Sequence, residues 1–485
     1  NVMYPIGSYT NVDDNKPFTG IFDGNGKTLS NFSLKAGTNN DENYAGLFAY
    51  NTGTIKNLIV DKAKFEGPTV SYVGIICGYN QGVISGCEVK GINIKANDNV
   101  GGLIGHMRDG TIEDCSSAGS VKGNDNVGGL IGRVNNNLQI NFNSKKIYAN
   151  CEVEGRNYVG GFIGNVTSDS EITIKGKLNN DIYSAGSVKG SQHVGGFIGA
   201  VYKSAELEYC SSSSTVSKNE NFSDPKNVGG LIGYFNKGTV NNCYSTGSVT
   251  AASAECVGGL IGIIDTATDA SRIIANCYHT TGEVSGKKNV GGLIGQNIGF
   301  DSKRNVIKDC YSSGDVRGGT NVGGLIGDSS YSDIKVESGK TYSSCNVFGN
   351  TSSGTAAGGL IGYCNGTNIA GNSGNKIYTE GTVEGHTNVG GLIGQIYGSA
   401  EIKYCYHEYG VVQGNTKVGG LIGYISTGIK NSVNITGSYA KFDLDGNSDV
   451  KAVSKVGGLI GFIIDSTSGD IGVYVSQCYA CVDII

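Results

Sequence analysis

Cysteine, histidine, carboxylate and tyrosine patterns are where this 485-residue chain could carry chemistry. Cysteine recurs in one setting, roughly Asn/Asp-Cys-Tyr-Ser-x-Gly-x-Val, at Cys87, Cys115, Cys151, Cys210, Cys243, Cys277, Cys310, Cys345, Cys405 and Cys478. Thiols in register could ligate metal or close disulfides. Cys478-x-x-Cys481 has the spacing of half a zinc site, but no second pair accompanies it. Alternation along a strand would also send those two side chains to opposite faces. Ile182, Ile377 and Ser438 fill the cysteine slot in other copies. The expectation is therefore a column of buried, reduced thiols acting as small apolar side chains, with no metal and no cofactor. Cys256, Cys364 and Cys481 lie outside the column and are expected to be its reactive exceptions.

Histidines and acids point to no reaction. A helical His-Glu-x-x-His would hold zinc, but after His407-Glu408 the position of the second histidine is Val411. His106, His193, His279 and His386 fall singly and read as solvated side chains. Cleavage of a polysaccharide needs two or three acids focused in one cleft. Asp109, Glu113 and Asp114 cluster beside Arg108, and Asp23 stands apart, but neither group gains support from neighbouring copies. No catalytic residue is expected, and the chain reads as a non-enzyme.

Tyrosine follows the cysteine slot at Tyr183, Tyr244, Tyr278, Tyr311, Tyr378, Tyr406, Tyr439 and Tyr479. If the slot points inward, these rings point outward along one face. Such a stripe can bind a glycan or a protein partner, or simply stabilise a β-surface through same-face neighbours. The ligand-binding expectation falls on Tyr244, Tyr278 and Tyr311, and on Tyr406, Tyr439 and Tyr479. The partner would be a glycan or a host or cell-surface protein.

The elements that position these residues follow from a repeat. Val-Gly-Gly-Leu/Phe-Ile-Gly begins at Val100, Val127, Val159, Val194, Val228, Val257, Val290, Val322, Val389, Val418 and Val456. Ala357 starts the same string, and looser copies start at Ala45 and Val73. Glycine stands at 80 residues against 4 prolines, and the short β-friendly runs between Gly, Asn and Ser show no helical period, so turns and strands dominate. A unit of three short strands cannot bury its apolar side alone, whereas stacked units share a continuous core. The expected fold is all-β: a right-handed parallel β-helix of about fourteen turns, one repeat per turn, the hand following the crossover rule. A β-propeller is the competitor, but copies as close as Val100 and Val127 leave too little chain for four strands and their turns. Residues 1–485 read as one solenoid domain, with an opening turn over 1–43 and repeats over 44–485. The distance from the cysteine slot to the next Val-Gly-Gly is steady, while the preceding stretch varies. Insertions such as Asn135 to Lys146 and Ser329 to Gly339 are thus expected to project from one edge.

The net charge of −5 is spread along the chain, without a basic stripe that would suit nucleic acid. No apolar run reaches the roughly 18 residues of a membrane span. The absence of an initiator Met or sorting signal makes a segment of a longer protein the expectation.

The unit resembles the GLUG motif, named for its Gly-Leu-aliphatic-Gly core, over nearly the whole chain. The opening Phe18-Thr19-Gly20-Ile21-Phe22-Asp23-Gly24-Asn25-Gly26-Lys27-Thr28-Leu29 resembles the turn that precedes such arrays in bacterial surface proteins. The resemblance implies a bacterial, exported β-helix acting as an adhesin shaft or binding scaffold, at the cell surface or outside the cell. The alternatives it leaves are the non-catalytic arm of an immunoglobulin A-specific zinc endopeptidase and, by fold analogy, a polysaccharide-active β-helix enzyme.

Overall fold

The computed structural model describes residues 2–9, 15–36, 43–142, 144–177, 181–223, 225–265, 272–350, 352, 354–427, 431–441, 449–465, 472–481 and 483–484. Among them are strands and turns and no helix. The chain forms two compact units, Asn1–Lys226 with Gly230–Gly247, and Asn227–Gly229 with Ser248–Ile485. Each is a parallel β-solenoid.

In the first unit one turn runs through Val100–Gly101, Ile104–Met107, Gly110–Glu113 and Ser116–Lys122. Each strand pairs in parallel with its counterparts one turn away: Val100 with Val73 and Val127, and Ile112 with Ile84 and Ile140. The second unit repeats this through Lys288–Gly291, Ile294–Ile298, Asn305–Lys308 and Tyr311–Gly318. There Val290 pairs with Val257 and Val322, and Ile307 with Ile274 and Ile334. A turn therefore has four strands, one more than the repeat suggested, because Val-Gly-Gly-Leu-Ile-Gly bends in its middle and serves two faces.

The glycines of that string make the bend. A Cβ added at Gly102 would lie 2.2 Å from the Gly129 carbonyl of the next turn, and one at Gly105 would lie 2.5 Å from the Val73 nitrogen. Neighbouring turns approach too closely for any side chain there. The residue before each valine is left-handed, with φ of 53° at Asn99, 57° at Asn126 and 52° at Asn289. So is the residue before the cysteine slot, as at Asn57, Asp114, Asn242, Asn276 and Asp309. Short polar side chains tolerate this conformation best, which explains both asparagine columns. Asn126 Nδ2 also donates to Asn99 Oδ1 at 3.1 Å, and Asn321 Nδ2 to Asn289 Oδ1 at 2.9 Å.

Inside, identical apolar residues stack. Val100, Val127 and Val159, then Ile104, Ile131 and Ile163, are fully buried in the first unit, as are Leu293, Leu325 and Leu360 in the second. Phe162 and Phe197 replace leucine and stack at 4.5 Å.

The loop expectation needs correction. The stretch 135–146 contains the strand Leu138–Asn141, and 329–339 contains Ser332–Lys335. Extra residues fall at two corners, on either side of this third strand. In the sequence the two corners run together because the strand between them is only three to five residues long.

Candidate functional site

The fourth strand of each turn carries the tyrosines. In the second unit the backbone register places Tyr278, Tyr311, Tyr342, Tyr378, Tyr406, Tyr439 and Tyr479 directly opposite one another. Their rings form one continuous stack. Successive centroids are 4.8, 4.8, 5.0, 5.3, 4.9 and 4.8 Å apart, and planes differ by at most 10°. Tyr342 was missed in the sequence because Cys345 seemed to occupy its turn's cysteine slot. In the first unit Tyr148, equally missed, stacks on Tyr183 at 5.3 Å. Tyr244 lies in that unit too, but its neighbour in register is Ser211, which is opposite Tyr183 on its other side.

This geometry determines what the rings offer. Between adjacent tyrosines both ring faces are covered, so the stripe presents ring edges and hydroxyls. Burial raises the phenol pKa of Tyr311 and Tyr378, and pushes Tyr342 and Tyr406 up to about 12. These hydroxyls therefore remain protonated donors. Tyr439 donates to Glu408 Oε1 at 3.2 Å, and Lys376 Nζ lies 4.9 Å from the Tyr439 ring centre. The face is a ladder of neutral hydroxyls with isolated charges beside it.

The cysteine column is shorter than its sequence pattern. Gly119 pairs with Cys151, which puts Ile147 in the slot below Ile182. Likewise Gly314 pairs with Cys345, leaving Thr341 in the slot. Eight cysteines form the column: Cys87, Cys115, Cys210, Cys243, Cys277, Cys310, Cys405 and Cys478. The correct slot at Ile147 keeps the regular 12-residue distance to Val159, a signal that Cys151 breaks. At Cys345 the spacing gives no such signal: Cys345 itself lies 12 residues before Ala357, whereas Thr341 lies 16 before it. Every column thiol is buried except the partly exposed Cys478. Cys256 and Cys364, expected outside the core, are buried as well, and burial pushes both thiols up to about 12. The exposed thiol is Cys481.

Three of the histidines that read as solvated, His106, His193 and His279, are buried, as is His407, whereas His386 is partly exposed. His279 and His407 occupy the position filled by Ser312 and Thr379 in adjacent turns, pointing inward after the tyrosine. In that position Ser117, Ser184 and Ser312 each donate at 2.6 Å to a glycine carbonyl across the interior. An imidazole fits because Gly259 and Gly391 lack a Cβ, which would sit about 2.5 Å from the ring. His407 Nδ1 is 2.9 Å from Thr379 Oγ1, and burial lowers its pKa to about 3.

The carboxylates do not converge. Asp109 Oδ2 accepts from Asn136, Asp114 accepts from the Ser144 and Lys145 amides, and Asp23 accepts from the Asn25 amide and Asn57. These are turn-stabilising contacts. Sequence reasoning missed Asp328, whose carboxyl is pushed up to about 6 by burial, opposed by a bond from Gln296 at 3.3 Å. Among the described residues no three His, Cys, Asp or Glu side chains come together as metal ligands. Nor, among the described residues, is any helix long and apolar enough to cross a membrane.

Residues 96–122, 190–217 and 224–250 match the GLUG motif, so the chain carries GLUG repeats of the kind its sequence resembled. Each match runs from just before a Val-Gly-Gly to the end of the tyrosine strand. A 95-residue stretch, 20% of the chain, is 32% identical to Halomucin of Haloquadratum walsbyi. The chain spans about 1% of that protein's length. No solved structure matches.

Proposed function

We propose that the chain is a structural repeat segment of an extracellular or cell-surface protein, an adhesin-type shaft or binding scaffold without catalytic activity of its own. One observation carries this reading. The side chains that recur from turn to turn are committed to stacking: valine, leucine and isoleucine inside, glycine at the bends, asparagine at the left-handed positions and tyrosine along the fourth face. The GLUG repeats and the likeness to Halomucin support placing it outside the cell. Treating intact cells with protease should release peptides from this segment, and antibodies should bind it without permeabilisation. Detection only after lysis would overturn the assignment.

The tyrosine ladder is the surface on which such a scaffold would meet a repeating polymer. Tyr278 and Tyr311, or Tyr406, Tyr439 and Tyr479, would meet a glycan chain through hydroxyls and ring edges, each rung adding one weak contact. A glycan array probed with wild type and a Tyr406→Ser/Tyr439→Ser variant tests this. Loss of binding supports the ladder, and equal binding moves the contact elsewhere.

A further inference from the structure

One ring of the first unit keeps an uncovered face. Along its tyrosine column Ile59, Glu88, Ser116, Tyr148 and Tyr183 follow one another in register. Tyr183 covers one face of the Tyr148 ring, with centroids 5.3 Å apart. The other face is turned toward Ser116, whose side chain is too short to cover it. A cavity of about 420 Å³ opens there, lined in successive turns by Gly26, Asn57, Gly86, Asp114 and Lys145. It is a trough along the corner before the fourth strand, and five rungs about 4.8 Å apart make it roughly 19 Å long. Tyr148 is at one end, with Ser116 as the floor beside it and Glu88 one turn further on. Among the described residues the Glu88 carboxylate accepts no hydrogen bond, is 39% exposed and has one loose ion pair, to Lys90 at 3.7 Å. Lys145 and Lys146 are exposed at the rim and pair with no carboxylate among those residues. Asp114 is already taken up by the Ser144 and Lys145 amides.

We propose that this trough binds an uncharged pyranose residue of a glycan, stacked on the open face of Tyr148 above Ser116. The C–H face of the sugar packs against the ring. Its hydroxyls answer the charges around it. A carboxylate such as Glu88 only accepts hydrogen bonds, and the Lys145 and Lys146 ammoniums only donate them. A hydroxyl does both, so a ring bearing several satisfies both sides of the site. Two carboxylates and two ammoniums line the trough, so its charges cancel and a neutral ligand fits best. An anionic sugar would face Glu88, and a cationic one the two lysines. A planar aromatic would stack but leave these groups without partners. Peptide amides also donate and accept, but the strand Ser116–Lys122 is paired on both edges, so an extended peptide finds no backbone to join. The inference rests on the glycan-contact part of the function proposed above, and its test separates the two.

Saturation-transfer NMR and titration on the full chain would use the methyl glycosides of glucose, galactose and mannose, with N-acetylglycine methylamide as the peptide probe. At least one neutral hexoside should bind, and its uronide and the amide should bind more weakly. Ser116→Tyr extends the stack over the open face of Tyr148, so it should abolish binding while leaving the melting temperature unchanged or raised. Glu88→Gln, on a half-exposed side chain, should weaken binding about fivefold without affecting the fold. Tyr406→Ser/Tyr439→Ser should bind the hexoside like wild type. The proposal is overturned if no neutral hexoside binds, if the uronide or the amide binds more tightly, or if Ser116→Tyr or Glu88→Gln binds like wild type. Binding lost in Tyr406→Ser/Tyr439→Ser but kept in Ser116→Tyr would refute the trough and favour the ladder.

Discussion

Replacing Gly129 by alanine tests the reason given for the repeat's central glycines. An added Cβ at Gly129 would lie 2.1 Å from the Gly161 carbonyl oxygen and 3.0 Å from the Ala149 Cβ. The nearest obstacle is backbone, so no side chain can rotate away, and the two turns must separate locally. Overpacking of this kind costs about 1–3 kcal/mol. The strain falls on two inter-turn hydrogen bonds, Gly129 N–H to Gly160 O at 3.1 Å and Leu130 N–H to Phe162 O at 2.9 Å. Weakening both adds about 1–2 kcal/mol. A total of about 2–5 kcal/mol is expected, measured by equilibrium urea unfolding. Hydrogen exchange should lose protection at residues 128–131 and 160–163. Gly26 is the control: its φ of 67° is left-handed, but a Cβ there meets nothing within 4 Å. Gly26→Ala should therefore cost only the conformational penalty of about 1–2 kcal/mol. Adding Ala149→Gly to Gly129→Ala should restore little, because the carbonyl remains. If Gly129→Ala costs less than about 0.5 kcal/mol, or Ala149→Gly rescues it, close backbone approach is not what holds glycine in this column.

A thiol reagent on native protein should label Cys481 and, more slowly, Cys478, and leave the buried thiols unmodified until denaturant is added. Rapid labelling of Cys243 or Cys364 would contradict the burial described. Cys243→Val should cost under about 1.5 kcal/mol, since it keeps an apolar side chain of similar size. Acid should destabilise the fold through the buried histidines. Burial lowers His407 to about 3, and His106 and His193 to about 4, against about 6.5 in the unfolded chain. Below pH 6.5 the unfolded state takes up protons that the folded state refuses, so each histidine removes about 1 kcal/mol of stability per pH unit down to its folded pKa. His407→Thr, which copies Thr379 in the same column, should make the urea midpoint less dependent on pH between 6 and 4, and an unchanged slope would contradict the burial argument. Deleting Val290–Asn321 joins Asn289 directly to Val322 and so removes one whole turn in register. The variant should fold with wild-type spectra and a melting temperature within a few degrees, whereas deletion of Val290–Ser312, which breaks register, should not.

Most of the architecture was legible because stacking forces like residues into columns, and columns appear in a sequence as spacing. The Val-Gly-Gly positions align in the structure as they align in the string, from Val73 through Val194 and from Val257 through Val456. What spacing cannot resolve is how an interval divides between strand and corner. The third strand is short and differs in composition from turn to turn, as Leu138–Asn141 and Asn305–Lys308 show, so it disappeared into what read as a loop. Burial of the histidines was hidden for a related reason. Nothing in the type of His407 says that it faces inward, but its place two residues after the slot does. That place is taken by Ser312 and Thr379, both of them buried donors.

The site was legible in its residue type and not in its geometry. A column of tyrosines reads in sequence as many aromatic faces open to a ligand. At about 5 Å between centroids, each ring instead covers its neighbour, and the more regular the column, the fewer faces remain. The continuous stack from Tyr278 to Tyr479 is therefore best suited to stabilising the fourth face, with hydroxyls as its outward chemistry. In the first unit the same column reads Glu88, Ser116, Tyr148, Tyr183, Ser211 and Tyr244 in successive turns, so there the ring of Tyr148 meets that of Tyr183 and no long stack forms. Which residues follow the slot could be read from the sequence. Which ring covers which could not, because it depends on the register between turns about thirty residues apart in the chain.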